Sequence, residues 1–227
     1  MAYHRPVKAA IFDMDGLLIN SEPFWHQAEL DVFSRAGIDI SLRDSLPETT
    51  GLRIDQVVRL WFDAGNIRHL NAEDITQQII AEVAEKIRQQ RPLMPDVREA
   101  LEMCRECGFK IGLASASPLS LIQSVLELFS LQPYFDAVAS AGELPYSKPH
   151  PQVYLNAAAA LATDPLHCVA LEDSLNGMVA AKAARMRTLV VPAAAEAHLP
   201  VWSLAHARVD SLNDLTPDLL GYLPAIR

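Results

Sequence analysis

Along the chain, the spacing of apolar positions changes period repeatedly, and the changes separate two kinds of segment. Val7-Lys8-Ala9-Ala10-Ile11-Phe12 is short and almost wholly apolar. Such a run predicts a strand of a parallel sheet, because helices cover both faces of such a sheet and leave no side for polar residues. From Arg91 onward helical and extended patterns alternate. A helix is predicted from about Asp96, with Val97, Leu101 and Cys104 on one face and Gly108 as its stop. Phe109–Ala114 predicts a strand. Pro118 then falls in the first turn of a helix carrying Leu121, Ile122, Val125, Leu126 and Phe129. A short strand (Phe135–Ala139), the loop Ser147-Lys148-Pro149-His150-Pro151, a helix (Gln152–Leu161) and a strand (His167–Leu171) follow. An Ala-rich helix (Asn176–Ala184) and a strand (Arg187–Val191) complete the series. This alternation implies right-handed βαβ crossovers and a doubly wound parallel α/β sheet.

Residues 21–90 break the alternation and contain no convincing strand. Ser21 is placed to cap a helix in which Trp25, Ala28, Val32 and Ala36 recur every three or four residues before Gly37. Ile54–Phe62 predicts a second helix, and Ile75, Ile79, Val83 and Ile87 form the stripe of a third. The expected organisation is a doubly wound α/β core from residues 1–20 and 91–227, with a helical segment inserted at 21–90. That insertion leaves the sheet at the carboxyl end of the first strand, where it can close as a lid.

The chemistry gathers at the same place. Asp13-Met14-Asp15-Gly16 follows the first strand directly, and open α/β sheets bind ligands beyond the carboxyl ends of their strands. Ser115, Lys148 and Glu172-Asp173 each follow a later strand, so the topology can bring all of them to one edge. Taken singly, each is as readily a helix cap or a solvated loop residue. Together they suit phosphoryl transfer, which needs an in-line nucleophile, neutralised equatorial oxygens and a protonated leaving oxygen. A carboxylate attacks without prior deprotonation, and its acyl phosphate is reactive toward water. Mg²⁺ favours carboxylate, carbonyl and water oxygens, matching Asp13, Asp173 and an adjacent backbone carbonyl. Lys148 offers charge, and Ser115 a hydroxyl.

Bulk composition limits the partners. The 227 residues are 50% hydrophobic, and 19 basic against 28 acidic residues give a net charge of −9. An acidic chain argues against nucleic acid or an anionic membrane as partner. A small phosphorylated substrate stays open, since a few local donors and a metal outweigh a field screened beyond ~8 Å. No apolar stretch reaches the ~20 residues of a membrane span, and Met1–Lys8 lacks the apolar core of a signal peptide. A soluble, cytoplasmic, monomeric protein is expected. Cys104-Arg105-Glu106-Cys107 has the spacing of half a zinc site, but nothing nearby completes it. Structural thiols are expected.

Asp13-Met14-Asp15-Gly16, Ser115, Lys148-Pro149 and Glu172-Asp173, in this order, resemble the four motifs of the haloacid dehalogenase superfamily, phosphatase branch. The resemblance implies a Rossmann-like core (1–20 and 91–227) with a helical cap domain (21–90), Asp13 as nucleophile and Asp15 as general acid and base. It implies that Ser115, Ser117 and Lys148 hold the phosphoryl group, and that Asp13, Asp15, Asp173 and Glu172 form the Mg²⁺ site, Glu172 directly or through water. Strings such as Gly51-Leu52-Arg53-Ile54-Asp55 and Gly112–Pro118 are similar to bacterial phosphatases acting on 2-deoxyglucose 6-phosphate and hexitol phosphates. Asn20 departs from the Asp that many of these carry. A small sugar phosphate is therefore the expected substrate.

β-Phosphoglucomutase shares these motifs and is the competing reading. Mutases carry a histidine in the helix after the first motif; here Trp25 stands there and His26 follows, turned by about 100° on a helix. Hydrolysis is the reading favoured. A phosphometabolite sensor of this fold would lack the nucleophile or a metal ligand, and every motif position here is filled. In the helical segment, Arg53 is a candidate to clamp substrate and Trp25 to pack on a sugar face, each against a plain structural alternative. His150 is expected to make a structural hydrogen bond.

Overall fold

All four residues of β1 (Ala9–Phe12) are buried, and β1 lies at the centre of a six-stranded sheet in the order β3-β2-β1-β4-β5-β6. The other strands are β2 (Lys110–Ser115), β3 (Ala137–Ser140), β4 (Cys168–Glu172), β5 (Arg187–Val190) and β6 (Ala207–Arg208), and every pairing is parallel. The computed structural model describes residues 5–47 and 49–221, so Met1–His4 of the N-terminal stretch lie outside it. The sheet is the doubly wound one expected. Strand order reverses at β1: β2 and β3 lie to one side, β4, β5 and β6 to the other. Chain reversal of this kind opens a crevice at the carboxyl edge.

Alternate residues of β1 feed two cores. Ala9 and Ile11 join Ala114, Cys168 and Ala170 beneath α6 (Gln152–Ala160) and α7 (Leu175–Ala183). Alanines on these helices, Ala157, Ala158, Ala180 and Ala181, are fully buried and let them lie close to the sheet. Ala10 and Phe12 join Leu113, Val169 and Leu171 on the other face, with α4 (Val97–Glu106) and α5 (Leu119–Leu128). Several boundaries move by a residue or two from the sequence expectation. Pro118 is the N-cap of α5 rather than part of its first turn, and Glu172 closes β4 instead of following it. A dipeptide has no hydrophobic period, so β6 gave no sequence signal, nor did the single-turn helix α8 (Pro217–Leu220).

Between β1 and α4 the chain forms α1 (Glu22–Arg35), α2 (Ile54–Ala64) and α3 (Ala72–Gln90), none of which touches the sheet's hydrogen-bond ladder. The stripe Ile75, Ile79, Val83 and Ile87 is buried, packed between α1 and α2. Outgoing and returning chain run side by side: Asn20 N–H donates to Pro92 O at 2.8 Å and Met94 N–H to Leu18 O at 2.9 Å. Two short paired segments thus join the helices to the sheet. No helix among the described residues is long and apolar enough to cross a membrane.

Candidate active site

Register places the first acid. Phe12 pairs with Leu171 on β4, and the Asp13 N–H continues the ladder to Leu171 O at 3.0 Å, so Asp13 falls beside Glu172. Both are buried, at 4% and 0% exposure, which would be costly for two anions alone. Lys148 compensates them. Its ammonium, 1% exposed, lies 2.7 Å from Asp13 Oδ1 and 2.6 Å from Glu172 Oε1. Its contact with Asp13 is an ion pair without hydrogen-bond alignment, for Asp13 Oδ1 has no hydrogen-bond partner. Burial acts to lower the Lys148 ammonium; the Asp13 and Glu172 carboxylates more than reverse this and hold it well above its usual value. Burial pushes Asp13 up to about 8, Glu172 adding to the rise and Lys148 opposing it.

Glu172 is held from several sides. Tyr154 Oη of α6 donates to Oε1, and Ser174 donates to Oε2 from its hydroxyl at 3.2 Å and its N–H at 3.4 Å. Gly177 of α7 leaves the room for this carboxylate: a Cβ there would sit 1.9 Å from Glu172 Oε1. Gly177→Ala is therefore expected to displace Glu172 and Lys148 together. Near-wild-type phosphate release by the variant, alongside an unchanged melting temperature, would count against this packing.

Asp13, Glu172 and Asp173 each offer a carboxylate oxygen, all within 4.8 Å of one another. Asp173 Oδ1 is buried without a hydrogen-bond partner, and burial, then Glu172 and Asp13, push its carboxyl well above the ordinary range. Gly16, at φ +78°, keeps the approach to Asp173 open, since a Cβ would lie 1.9 Å from Oδ2. Surplus buried negative charge, an orphaned oxygen and hard oxygen donors fit a small divalent cation such as Mg²⁺. The Asp15 side chain lies outside this group.

Its carboxylate is occupied by donors from both parts of the fold. Ser21 Oγ (2.7 Å) and Trp25 Nε1 (3.0 Å) donate to Oδ1, while Ser117 Oγ (2.8 Å) and Ser115 Oγ (3.3 Å) donate to Oδ2. Ser115 also accepts the Ser117 N–H at 2.9 Å, which fixes the turn after β2. Ser21 was expected as a helix cap; it sits at the N-cap of α1 but makes no side-chain cap bond, because its hydroxyl goes to Asp15. Trp25 lines the space above Asp15 as well as bonding to it.

That space is a cavity of about 350 Å³ between the sheet edge and the helical segment, lined by Asp13, Asp15, Trp25, Ser117 and Lys148 among others. Arg53 is not in its lining. Its guanidinium binds Asp55 and donates to Ala141 O at 2.7 Å and Leu144 O at 2.6 Å. It ties the start of α2 to the loop after β3; Asn176 Nδ2, donating to Thr50 O at 2.8 Å, makes a second tie. His150 accepts the Gln152 N–H at 3.2 Å, the structural role expected. Cys104, Cys107 and Cys168 are free thiols, and burial pushes Cys104 up to about 12. Sequence reasoning missed Tyr154, Ser174 and Glu29. A glutamate inside the apolar stripe of α1 was the one legible signal among them.

The comparisons agree with this geometry. A family model described as haloacid dehalogenase-like hydrolase matches residues 7–185. Hexitol phosphatase B of Escherichia coli (strain K12) is 54% identical over 222 residues, 97% of this chain and 100% of that protein. The phosphorylated carbohydrates phosphatase of Thermotoga maritima is 31% identical over 183 residues, 78% of this chain and 82% of its own. Among solved structures, a β-phosphoglucomutase from Clostridium difficile superposes with a TM-score of 0.80 at 25% identity, covering 93% and 94% of the two chains. With that match across most of its length and the four motifs joined at one sheet edge, the chain belongs to the haloacid dehalogenase-like hydrolase family, as a phosphatase.

Proposed function

We propose that this phosphatase hydrolyses small sugar phosphates (a hexose 6-phosphate, 2-deoxyglucose 6-phosphate or a hexitol phosphate) through an aspartyl-phosphate on Asp13, with Mg²⁺ as cofactor. The observation that carries the reading is the division of labour between two aspartates. Asp13 is buried against Lys148, whereas Asp15 is held by hydroxyl and indole donors at the cavity wall. An Asp13 oxygen attacks phosphorus as the ester P–O bond breaks, and Asp15 gives its proton to the leaving sugar oxygen. Asp15 then takes a proton from the water that attacks the phospho-aspartate, which releases inorganic phosphate and restores Asp13. Ser115, Ser117 and Lys148 hold the phosphoryl oxygens. Asp13, Asp173 and the Asp15 backbone carbonyl would hold Mg²⁺, with Glu172, already bound by Lys148, Tyr154 and Ser174, acting through water. The ion would neutralise the phosphate as it approaches the carboxylates. Residues 21–90 serve as a cap over the 1–20 and 91–227 core, moving on the paired segments at 18–20 and 92–94.

The similarity to Hexitol phosphatase B supports a polyol or sugar phosphate as substrate. Trp25 favours hydrolysis over mutase chemistry. Its indole holds Asp15 without the proton-relaying imidazole that would couple cap closure to a returning sugar phosphate. The test is phosphate release from a panel of sugar phosphates with Mg²⁺, with and without chelator. Hexitol and hexose 6-phosphates are expected to be turned over, chelation to abolish activity, and Mg²⁺ but not Ca²⁺ to restore it fully. Full activity in excess chelator would remove the metal from the reading. β-Glucose 1-phosphate with a trace of 1,6-bisphosphate should give free phosphate; faster accumulation of glucose 6-phosphate would make the enzyme a mutase.

A further inference from the structure

Beyond Trp25, the cavity is lined by charged side chains that the phosphoryl chemistry does not use, Glu22, Glu29 and Arg43. Helix α1 orders the wall. Glu22 is near enough to Asp173 to raise its carboxyl, Trp25 bonds Asp15, and Glu29 comes four residues later, about 6 Å further by helical rise. Glu29 therefore lines the same cavity on the side away from the aspartates. It is 6% exposed, in a helix face otherwise made of Ala28, Val32 and Phe33, where an aliphatic residue would pack at no electrostatic cost. Arg43, half-buried in the 3₁₀ turn Ile40–Ser45, lines the cavity too.

Glu29 and Arg43 are neighbours but not an ion pair. Burial pushes Glu29 up to about 7, and Arg43 is the chief opposing influence, with the Trp61 indole second. Yet among the described residues Glu29 has no ion pair within 4.0 Å. A carboxylate and a guanidinium thus line a space shared with Thr49, Thr50, Ile54 and Val57. Hydroxyl groups match such a set, since each can donate to Glu29 and accept from Arg43. A second phosphate or carboxylate does not, because Glu22 and Glu29 offset the charge of Arg43 that would attract it.

We infer that Glu29 and Arg43 together read the hydroxylated carbon chain of the substrate, selecting a neutral polyhydroxyl tail over one that ends in a second anion. This rests on the sugar phosphatase reading and adds the residues that set its specificity. Glu29 touches the part of the substrate away from the reacting atoms, so its removal acts on binding rather than on the chemical step.

The test compares wild type, Glu29→Leu and Glu29→Gln on three substrates: sorbitol 6-phosphate, p-nitrophenyl phosphate, which has no hydroxyl tail, and fructose 1,6-bisphosphate. Glu29→Leu should raise KM for sorbitol 6-phosphate by about 10-fold or more, the worth of a hydrogen bond to a charged group, with kcat nearly unchanged. Its kcat/KM for p-nitrophenyl phosphate should stay within about 2-fold of wild type, which a misfolded site could not do. Glu29→Gln leaves Arg43 less neutralised and should raise kcat/KM for the bisphosphate relative to sorbitol 6-phosphate. Equal losses on all three substrates, or unchanged ratios between them, would overturn the inference while leaving the sugar phosphatase intact. Wild type that turns over p-nitrophenyl phosphate but no sugar phosphate would overturn the parent reading, and this inference with it.

Discussion

Asp13→Asn is expected to release no measurable phosphate, a loss on the order of 10⁴-fold or more, as when a covalent nucleophile is removed. The substitution preserves shape and keeps one oxygen but takes away the anion that attacks phosphorus. Folding should survive, and the metal-free protein should be stabilised at high pH. The direction follows from linkage. Burial and Glu172 push Asp13 up to about 8 in the folded chain against 3.8 as its ordinary value. Between those limits the folded state binds more protons than the unfolded one, so stability falls as pH rises through that window. Asparagine has no proton to lose, so its melting temperature should exceed that of wild type at pH 8 and approach it near pH 4. Residual turnover close to wild type in a folded Asp13→Asn protein would refute the covalent mechanism. A lower melting temperature at pH 8 would instead show that Asp13 gains more from Lys148 than it loses to burial and Glu172.

Much of the architecture was legible because it depends on periodicity. Continuous apolar runs separated by helical stripes can be folded economically only as parallel crossovers, and once the strands are parallel their carboxyl ends share an edge. Asp13, Ser115, Lys148, Glu172 and Asp173 could therefore be grouped before any geometry was known. Interactions across the fold were less legible. Ser21 carries the local signature of a helix cap, but a carboxylate six residues earlier in the chain competes for its hydroxyl and wins. Arg53 is followed two residues later by Asp55, yet what fixes it are carbonyls at 141 and 144, a separation no local pattern encodes. Tyr154 falls in the helix predicted over Gln152–Leu161 with nothing in its own segment to mark it; only the packing of α6 on the sheet brings its hydroxyl to Glu172. Residues whose roles follow from their own segment were readable, and those whose roles are set by a partner elsewhere were not.

Lys148→Met should be the most damaging change to both stability and turnover. Methionine matches the length of the lysine stem, so the loss is chiefly that of the charge. In wild type the ammonium is the one cation paired within 4.0 Å with either Asp13 or Glu172 among the described residues, and all three side chains are at most 5% exposed. Removing one member of such a buried set leaves the others uncompensated, which costs about 3–5 kcal/mol against a total stability of about 5–15 kcal/mol. Tyr154 and Ser174 would still hold Glu172, but Asp13 would keep no cationic neighbour except a bound metal. The destabilisation should therefore be partly relieved by Mg²⁺, and more so in Lys148→Met than in wild type, because the ion would then supply charge that the lysine otherwise provides. Turnover should not recover in parallel, since a cation held by Asp13 and Asp173 would not restore the ammonium between Asp13 and Glu172. Denaturant titration with and without Mg²⁺, followed by phosphate release under the stabilised condition, separates the two effects. A variant as stable as wild type in the absence of metal would mean that the Lys148 pairs contribute nothing net, and that Asp13 and Glu172 are neutralised by protons rather than by the lysine.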